Sequence, residues 1–329
     1  MHIPDNYLSP STCAVMAAAM VPVWAVAIKK VKKEVSKTKM PQLGIFAALS
    51  FLMMMFNVPL PGGTTGHAVG GTLVAILMGP SAACISVSVA LMVQALLFGD
   101  GGILSFGANC FNMAFLLPYV GYYLYKFIRE RFPSRGGETA GVIIGAYFGL
   151  VVASLATAVE FGIQPLLFKD AAGQALYCPY GLDVSIPAMV IPHLAVAGPV
   201  EAVFTLLIVN FVKKVSPDMI EETPAKKTKG IWGLLLALIC LTPIGLLATG
   251  TAWGEWGSDE IAELAGYTPQ GMSDGLSFNA LIPDYSMNGM PDVLGYILSA
   301  VLGVAILIIA FKLLGSAKKD DAMLSTQAK

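Results

Sequence analysis

Residues 11–28 (STCAVMAAAMVPVWAVAI) contain no charged side chain, and residues 29–39 (KKVKKEVSKTK) follow them with the densest basic run of the chain. About 20 helical residues cross a hydrocarbon core of about 30 Å, so the apolar stretch predicts a membrane-spanning helix. No Lys or Arg precedes it, which is the reverse of the charge order in a secretory signal peptide. We therefore expect a retained first helix with its N-terminus outside the cell and its basic end in the cytoplasm.

The composition of the whole chain favours the same class of fold. Of the 329 residues, 56% are hydrophobic and only 12% are charged, so a soluble fold would leave apolar surface uncovered. The apolar stretches lack the alternation of a membrane barrel, and helices satisfy their own backbone hydrogen bonds inside lipid. The net charge of −1 gives no sign of a nucleic-acid surface. We predict an all-α, polytopic membrane helical bundle whose surroundings are lipid.

Apolar segments predict seven helices in a first unit, residues 1–215, and two more in a C-terminal unit, residues 230–314. A charged linker at 216–229 separates the units. One predicted helix of the first unit, 68–79, is too short for an upright span. The C-terminal unit contains a long loop, residues 251–292, with seven acidic residues and no Lys or Arg. The predicted helices are 11–28, 41–58, 68–79, 80–98, 105–125, 140–161, 186–212, 231–250 and 293–314.

The distribution of basic residues predicts the orientation of the bundle. With the N-terminus outside, this helix count places every basic cluster in the cytoplasm, namely 29–39, 126–135, 213–229 and 318–319. The loops outside are then 59–67, 99–104, 162–185 and the acidic loop 251–292. We expect a multi-pass plasma-membrane protein with a cytoplasmic C-terminus.

Histidine is scarce in this chain, since only His2, His67 and His193 occur. The predicted topology places His2 and His67 at the same outer mouth of the bundle, although either histidine alone is more often a solvated residue. Because His2 in second position blocks methionine removal, we expect Met1 to be retained. Its amine can then form fused chelate rings with the amide and imidazole nitrogens of His2. His67 can supply a fourth nitrogen. Tetragonal nitrogen sites suit nickel(II) and copper(II), whereas zinc prefers a tetrahedron.

The motifs around these histidines resemble the signatures of the CbiM/NikM family. The resemblance starts with MHIPDNYLS at residues 1–9 and GGTTGHAVGG at 62–71, and it extends through FGDGGILSFGANCFNMA at 98–114 and IPHLAVAGPVEAVFT at 191–205. Members of this family are the substrate-binding membrane (S) components of energy-coupling-factor importers for cobalt and nickel. GTAWGEWGSDE at 250–260 and IPDYS at 282–286 resemble the small accessory component, here fused as in the NikMN type.

The resemblance implies a metal site built from the Met1 amine, the His2 amide and imidazole nitrogens, and the His67 imidazole. It implies Ni²⁺ or Co²⁺ as the transported substrate, with nickel slightly favoured, and no organic cofactor. It also implies partners, namely an energy-coupling membrane (T) component and ATPase (A) subunits. Asn6 departs from the family pattern, where glycine is commoner, and Asn is the residue that best replaces glycine in left-handed backbone.

Three polar residues are candidates for support of the metal ligands. Asp5 can orient an imidazole or hold the N-terminal arm, and a simple turn aspartate is the alternative. Asn109 and Asn112 lie three residues apart at the start of a helix, where they can bond the His67 loop or satisfy the helix end. His193 and Glu201 lie within the seventh predicted helix, where a polar bond between helices is favoured over a functional relay.

The chain contains no G-x-x-x-x-G-K-[ST] phosphate loop, so it is expected to be a transport component that relies on partners for ATP hydrolysis. The alternatives are a self-sufficient secondary permease for divalent ions, which usually needs acidic ligands near the membrane midplane, and a membrane-embedded metalloenzyme. Small residues at Ala14 and Ala18, or at Gly44 and Ala48, offer faces for a coupling subunit, with Gly44 and Ala48 favoured. Internal helix packing is the default interpretation of both pairs.

Overall fold

The computed structural model describes residues 1–36, 39–217 and 229–317. Most of the predicted linker at 216–229 lies outside these residues, and so do the basic pair at 318–319 and Lys37 of the first basic run. In the described part of the chain the regular structure is helical apart from one short hairpin and an isolated bridge. The predicted all-α bundle is confirmed.

Helix α1 (Pro10–Glu34) is longer than the predicted segment 11–28. Its N-terminus is capped by Ser9, whose hydroxyl accepts a hydrogen bond from the Thr12 main-chain nitrogen at 3.0 Å. Lys is a good helix former, and cations are favoured near a helix C-terminus, so the first basic run continues the helix.

Helix α2 (Met40–Met54) ends four residues before the predicted boundary because the chain turns into a β-hairpin. Strand β1 (Val58–Leu60) pairs antiparallel with β2 (Thr64–Gly66), and Val58 lies opposite Gly66. Gly62 and Gly63 have φ values of +93° and +80°, which glycine adopts without steric cost. The hairpin, which the sequence did not predict, delivers His67 directly after its second strand.

Helix α3 (Gly71–Met78) has eight residues, so the short element expected here is confirmed. At 1.5 Å per residue it is about 12 Å long and does not cross a membrane by itself. Gly79, at a φ of +88°, separates it from α4 (Pro80–Val93), which continues as a π-helical turn over Gln94–Phe98.

Further π-helical turns interrupt the next helices. Helix α5 (Phe106–Asn109) passes through a π-helical turn at Cys110–Leu116 into α6 (Leu117–Arg131). Helices α7 (Arg135–Gly162) and α8 (Gln164–Leu167) follow. Helix α9 (Leu182–Pro192) then passes through a π-helical turn at His193–Ala197 into α10 (Gly198–Val215). π-helical turns in α-helices are frequent at functional sites.

In the C-terminal unit, the helix predicted over 231–250 divides into α11 (Lys229–Leu241) and a 3₁₀ turn at Thr242–Leu247. The segment that follows is partly helical. It contains α12 (Ser258–Ala265), α13 (Gln270–Ser273) and a 3₁₀ turn at Pro283–Tyr285, and it leads into α14 (Asp292–Ala317). We call residues 248–291 the C-terminal loop.

Helix α14 packs directly on α2, and this contact corrects one prediction. A Cβ atom added at Gly44 would lie 3.0 Å from the Cα of Ile308, and Ala48 is fully buried. The favoured face for a coupling subunit is therefore an internal helix contact of this chain. Ala14 and Ala18 of α1 are exposed on the outside of the bundle.

Within the described residues, six helical segments are long and apolar enough to cross a membrane. The protein is a multi-pass membrane protein. Hydrogen bonds join the N-terminal arm (residues 1–9), the loop at 99–105 and the C-terminal loop, while Thr64 of the hairpin bonds the C-terminal loop. We call this end of the bundle the mouth.

Candidate metal site at the mouth

The N-terminal arm lies inside the protein, with residues 1–3 at most 3% exposed. Ile3 fixes it in place through its main chain. The Ile3 nitrogen donates to the Asn109 side-chain oxygen at 2.8 Å, and the Ile3 carbonyl accepts from the Asn109 amide at 3.0 Å and from the Gly102 nitrogen at 2.9 Å. The Ser105 hydroxyl donates to the same carbonyl. These bonds hold the adjacent His2 within the bundle.

Asp5 holds the arm at a second point. Its carboxylate accepts hydrogen bonds from the main-chain nitrogens of Ile103, Leu104 and Ser105 at 3.0, 2.7 and 3.4 Å. Of the roles offered for Asp5, the structure shows the one in which it holds the arm. Asp5 and Asn109 together join the arm to the residues that open α5.

The Asn112 side chain bonds residues of α7 and not the N-terminal arm. Its amide nitrogen donates to Glu160 at 2.8 Å and to Thr157 at 3.1 Å, both on α7. The two asparagines were expected to share a helical face, but the π-helical turn that begins at Cys110 changes the helical period between them. Asn109 thus supports the arm, whereas Asn112 pairs with a buried carboxylate within the bundle.

The imidazoles of His2 and His67 meet at the mouth. Nδ1 of His2 lies 3.2 Å from Nε2 of His67, and the ring centroids are 4.9 Å apart. Nδ1 of His67 lies 3.2 Å from the Ala68 carbonyl, which accepts a hydrogen bond from it in one tautomer and leaves Nε2 with a lone pair. Two nitrogen ligands at about 2.0 Å and at right angles lie about 2.8 Å apart, so the pair is close to a ligand spacing.

Two of the candidate nitrogen donors are bonded to carboxylates. The terminal amine of Met1 lies 2.9 Å from Oε1 of Glu255, and Nδ1 of His2 lies 3.0 Å from Oδ1 of Asp100. Among the described residues no group of three or more His, Cys, Asp or Glu side chains is arranged to hold a metal ion. The candidate donor set differs from such a group, because two of its four donors, the Met1 amine and the His2 amide, are main-chain nitrogens.

Asp100 is a site residue that the sequence reasoning missed. Gly99 and Gly101 flank it with φ values of +71° and +84°. Its second carboxylate oxygen accepts hydrogen bonds from Gln94, at 3.0 Å, and from the Tyr285 hydroxyl. A carboxylate between glycines in FGDGG (98–102) was the available signal, but its contact with His2 follows only from the fold.

The charges at the mouth act on one another. Burial raises the pKa of the Asp100 carboxyl, but the positive charge and hydrogen bond of His2 outweigh this and hold that pKa well below its usual range. Burial, together with the positive charges of His2 and the terminal amine, lowers the pKa of His67 well below its ordinary value. His67 is therefore neutral at neutral pH, the form in which imidazole binds metals.

Glu201 anchors the loop that carries His67. This buried residue of α10 accepts hydrogen bonds from the main-chain nitrogens of Val69 at 2.7 Å and Gly70 at 3.0 Å. A buried carboxylate in a membrane helix calls for a partner, and this was recognised from the sequence. The partner is the backbone of the His67 loop, which no sequence pattern identifies.

His193 lies near the mouth although it belongs to the predicted seventh helix. It lines a small cavity of about 10 Å³ together with Met1, Thr65 and Trp253. Its Nδ1 lies 2.6 Å from the Met189 carbonyl on its own helix. Its Nε2 is buried and has no hydrogen-bond partner among the described residues.

The C-terminal loop covers the N-terminal arm. The Asn6 backbone has a φ of +70°, and its side chain exchanges two hydrogen bonds of 2.9 Å with the main chain of Leu276. The Tyr7 hydroxyl donates to the Trp256 carbonyl at 2.8 Å. A cavity of about 350 Å³ remains under the loop, lined by His67 and by carboxylates that include Asp284. The candidate donors are thus enclosed between the helical bundle and the C-terminal loop.

The fold is that of a multi-pass membrane protein, and its buried N-terminal arm and paired imidazoles form a candidate metal site. The family model described as "Cobalt uptake substrate-specific transmembrane region", CbiM, matches residues 2–219, and the model of the PDGLE domain matches residues 227–320. This chain belongs to the CbiM family and carries a C-terminal PDGLE domain.

Relatives match the chain over nearly its full length. It is 51% identical to the probable fused nickel transport protein LarMN of Lactiplantibacillus plantarum, over 95% of this chain and 97% of the relative. It is 43% identical to the fused nickel transport protein NikMN of Rhodobacter capsulatus, over 94% and 95%. A crystal structure of a truncated transition metal transporter, 56% identical, covers 65% of this chain and 99% of its own, with a TM-score of 0.62.

Proposed function

We propose that this chain is the metal-capturing membrane component of an ATP-driven energy-coupling-factor importer for nickel or cobalt. Family membership and full-length relatives named as nickel transport proteins support transport of such an ion. The observation that carries the metal site is the approach of Nδ1 of His2 to Nε2 of His67, at 3.2 Å, beside the buried Met1 amine.

The proposed ligands are the Met1 amine, the His2 amide nitrogen, Nδ1 of His2 and the His67 imidazole. The first three close a five-membered and a six-membered ring on one ion, a geometry that requires Nδ1, the His2 atom facing His67. Deprotonation of an amide needs an ion with strong square-planar stabilisation, which favours nickel(II) over cobalt(II). Asp5 and Asn109 act by holding the arm that presents these nitrogens.

The N-terminus and the mouth are placed outside the cell, and the ends that carry Lys126 and Lys213 in the cytoplasm. Residues 1–215 then form the capture domain and residues 230–314 an accessory domain. Because the sequence has no P-loop, ATP hydrolysis and reorientation of the bundle belong to ATPase (A) subunits and a coupling membrane (T) component. The chain itself is not an enzyme.

The principal alternative is a secondary permease that works alone. In such a protein, carboxylates near the midplane commonly bind the ion. Here Glu160 accepts from Asn112, and Glu201 accepts from the His67 loop. Both carboxylates therefore have structural partners, which favours the capture component.

Reconstitution separates the two functions. The chain, tagged only at its C-terminus, is titrated with NiCl₂ and CoCl₂ against a chromophoric chelator and is then assayed for uptake in vesicles. We expect tight binding by the chain alone, and uptake only with coupling and ATPase subunits plus ATP. Uptake driven by an ion gradient without these partners would establish the permease, and absence of binding would refute the capture site.

A further inference from the structure

The His193 ring has one nitrogen bonded to its own helix and one that is not. Nδ1 lies 2.6 Å from the Met189 carbonyl, which can only accept a hydrogen bond, so Nδ1 carries a proton. In the neutral ring Nε2 then has a lone pair and is a hydrogen-bond acceptor. His193 is 4% exposed, and its Nε2 has no hydrogen-bond partner among the described residues. A buried acceptor of this kind needs a donor, because it is costly to leave unpaired.

The small cavity beside the ring has room for such a donor. Its volume is about 10 Å³, and the residues that line it include His193, Met1, Thr65, Met189 and Trp253. One water molecule needs about this volume, and a buried water makes about three hydrogen bonds. The terminal amine of Met1 is one of the groups that act electrostatically on the His193 ring. The amine and the Thr65 hydroxyl therefore give a water at Nε2 two further polar partners.

The Met1 amine has room for a second acceptor. It donates to Oε1 of Glu255 at 2.9 Å, the one hydrogen bond that it makes to the described residues. A primary amine that binds a metal ion through its lone pair still has two N–H groups. Glu255 accepts from one of them, and an acceptor in the cavity would accept from the other. With both N–H groups held, the lone pair of the amine has a fixed direction.

We propose that His193 positions the Met1 amine through a single buried water, which donates to Nε2 of His193 and accepts from the amine. The inference rests on the proposed metal site and gives His193, which is not one of the proposed ligands, a role in it. The amine is held in one orientation before the ion arrives, so less conformational freedom is lost when the chelate forms.

The helix that carries His193 then reaches the supports of two proposed ligands. Glu201, eight residues later, holds the loop that presents His67. The π-helical turn at His193–Ala197 lies between His193 and Glu201, and such turns are frequent at functional sites. A shift of this helix would displace the supports of the amine and of His67 together, which gives the bundle a route to release the ion.

Two amide substitutions separate the two contacts of the ring. Asparagine places an N–H donor near the position of Nδ1, and glutamine places an oxygen acceptor near the position of Nε2. With NiCl₂ and a competing chelator at fixed pH, His193→Asn is expected to bind Ni²⁺ about fivefold more weakly, the scale of one hydrogen bond. His193→Gln is expected to stay within about twofold of the unmodified protein. Equal affinities of the two variants, or the reverse order, overturn the proposal, because the bond to Met189 would then account for the role of His193.

Ser185→Ala is the matched control for a general loss of order in α9. Ser185 is fully buried, donates to the Ala158 carbonyl at 2.8 Å and is not among the residues that line the cavity. The substitution is expected to lower the thermal unfolding midpoint and to leave the Ni²⁺ affinity within about twofold. A loss of affinity equal to that of His193→Asn would show that the order of α9, and not the water, sets the affinity, contrary to the proposal.

NMR of the metal-free protein tests the water itself. The full-length chain is labelled with ¹⁵N-histidine and placed in lipid vesicles, and the His193→Gln variant assigns the ring signals. We expect a protonated Nδ1 and an unprotonated Nε2 that receives magnetisation from water protons. An Nε2 without contact to water overturns the proposal whatever the affinities. Absence of Ni²⁺ binding by the unmodified protein, with the water contact present, would instead refute the proposed function and with it the role of His193 in metal capture.

Discussion

Both carboxylate oxygens of Glu201 lie 3.0 Å from the main-chain nitrogen of Gly70, three residues after His67. One of them also accepts from Val69 at 2.7 Å. These nitrogens precede α3, whose N-terminus carries unsatisfied N–H groups and a partial positive charge that favours an anion. A carboxylate buried in α10 thereby fixes the position of the loop that presents His67.

Glu201→Gln is expected to weaken Ni²⁺ binding by about tenfold. Glutamine can accept from one main-chain nitrogen but loses the charge-assisted pair, whose net worth is about 1.5–3 kcal/mol, and the His67 loop becomes less ordered. Equilibrium competition with a chelator measures the affinity, and a thermal unfolding midpoint reports the stability of the bundle.

Thr205→Val is the control for Glu201→Gln. Thr205 lies one turn further along α10, and its buried hydroxyl has no hydrogen-bond partner among the described residues. Replacement by valine is therefore close to neutral for both affinity and stability. Equal losses in the two variants would show that Glu201 stabilises α10 generally and does not position the loop.

Acetylation of the Met1 amine is expected to abolish tight metal binding and leave the fold intact. Acetylation converts the amine into an amide and so removes one end of the fused chelate rings, while His2, Asp5 and their contacts stay in the chain. Mass spectrometry verifies that the terminus is acetylated, and equilibrium titration measures the affinity. Full affinity in the acetylated protein would eliminate the amine as a ligand.

His2→Ala and His67→Ala are each expected to reduce Ni²⁺ affinity by more than about 100-fold, since each removes an inner-sphere nitrogen worth several kcal/mol. His193→Ala is expected to change the affinity by less than about tenfold, because its Nδ1 bonds the Met189 carbonyl of its own helix. Chelator competition on all three variants tests this order. A loss at His193 equal to the other two would make the cavity it shares with Met1 part of the metal site.

The sequence predicts the helices well, because a membrane requires long apolar segments whatever they pack against. It fails where tertiary contacts decide the structure. The apolar segment at 41–58 predicts one helix, yet α2 ends at Met54 and a β-hairpin begins at Val58. Gly44 and Ala48 allow either internal packing, the default interpretation, or a face for a coupling subunit. Only the fold decides between them, because α14, more than 240 residues later, covers Gly44.

At the candidate site, the sequence identifies residues whose chemistry is rare in the chain and misses those whose chemistry is common. Three histidines in 329 residues direct attention to His2 and His67. Asp100 and Glu255 are ordinary acidic residues of loops, and their contacts with His2 and Met1 depend on how three distant segments fold together. Such contacts have no local signature in the sequence.

Asn6→Ala is expected to destabilise the docked arm more than Asn6→Gly. Both substitutions remove the two hydrogen bonds to Leu276, but only alanine also meets the left-handed backbone at a φ of +70°, at a cost of about 1–2 kcal/mol. Thermal unfolding and limited proteolysis of the C-terminal loop measure the two effects. Identical behaviour of the variants would mean that the arm adjusts its backbone at this position.

Removal of the C-terminal unit by truncation near Pro217 is expected to keep metal binding and to abolish uptake. All four proposed donors lie within residues 1–67, and truncation releases the Met1 amine from Glu255 and Asp100 from Tyr285. Because truncation also uncovers α2, a second chain replaces residues 251–286 with a flexible Gly/Ser linker and keeps α14 on α2. Equilibrium binding of Ni²⁺ is compared with ATP-driven uptake in the complete complex. Loss of affinity in both chains, with the helical content and thermal midpoint of the second chain preserved, would show that the C-terminal loop helps to build the metal site.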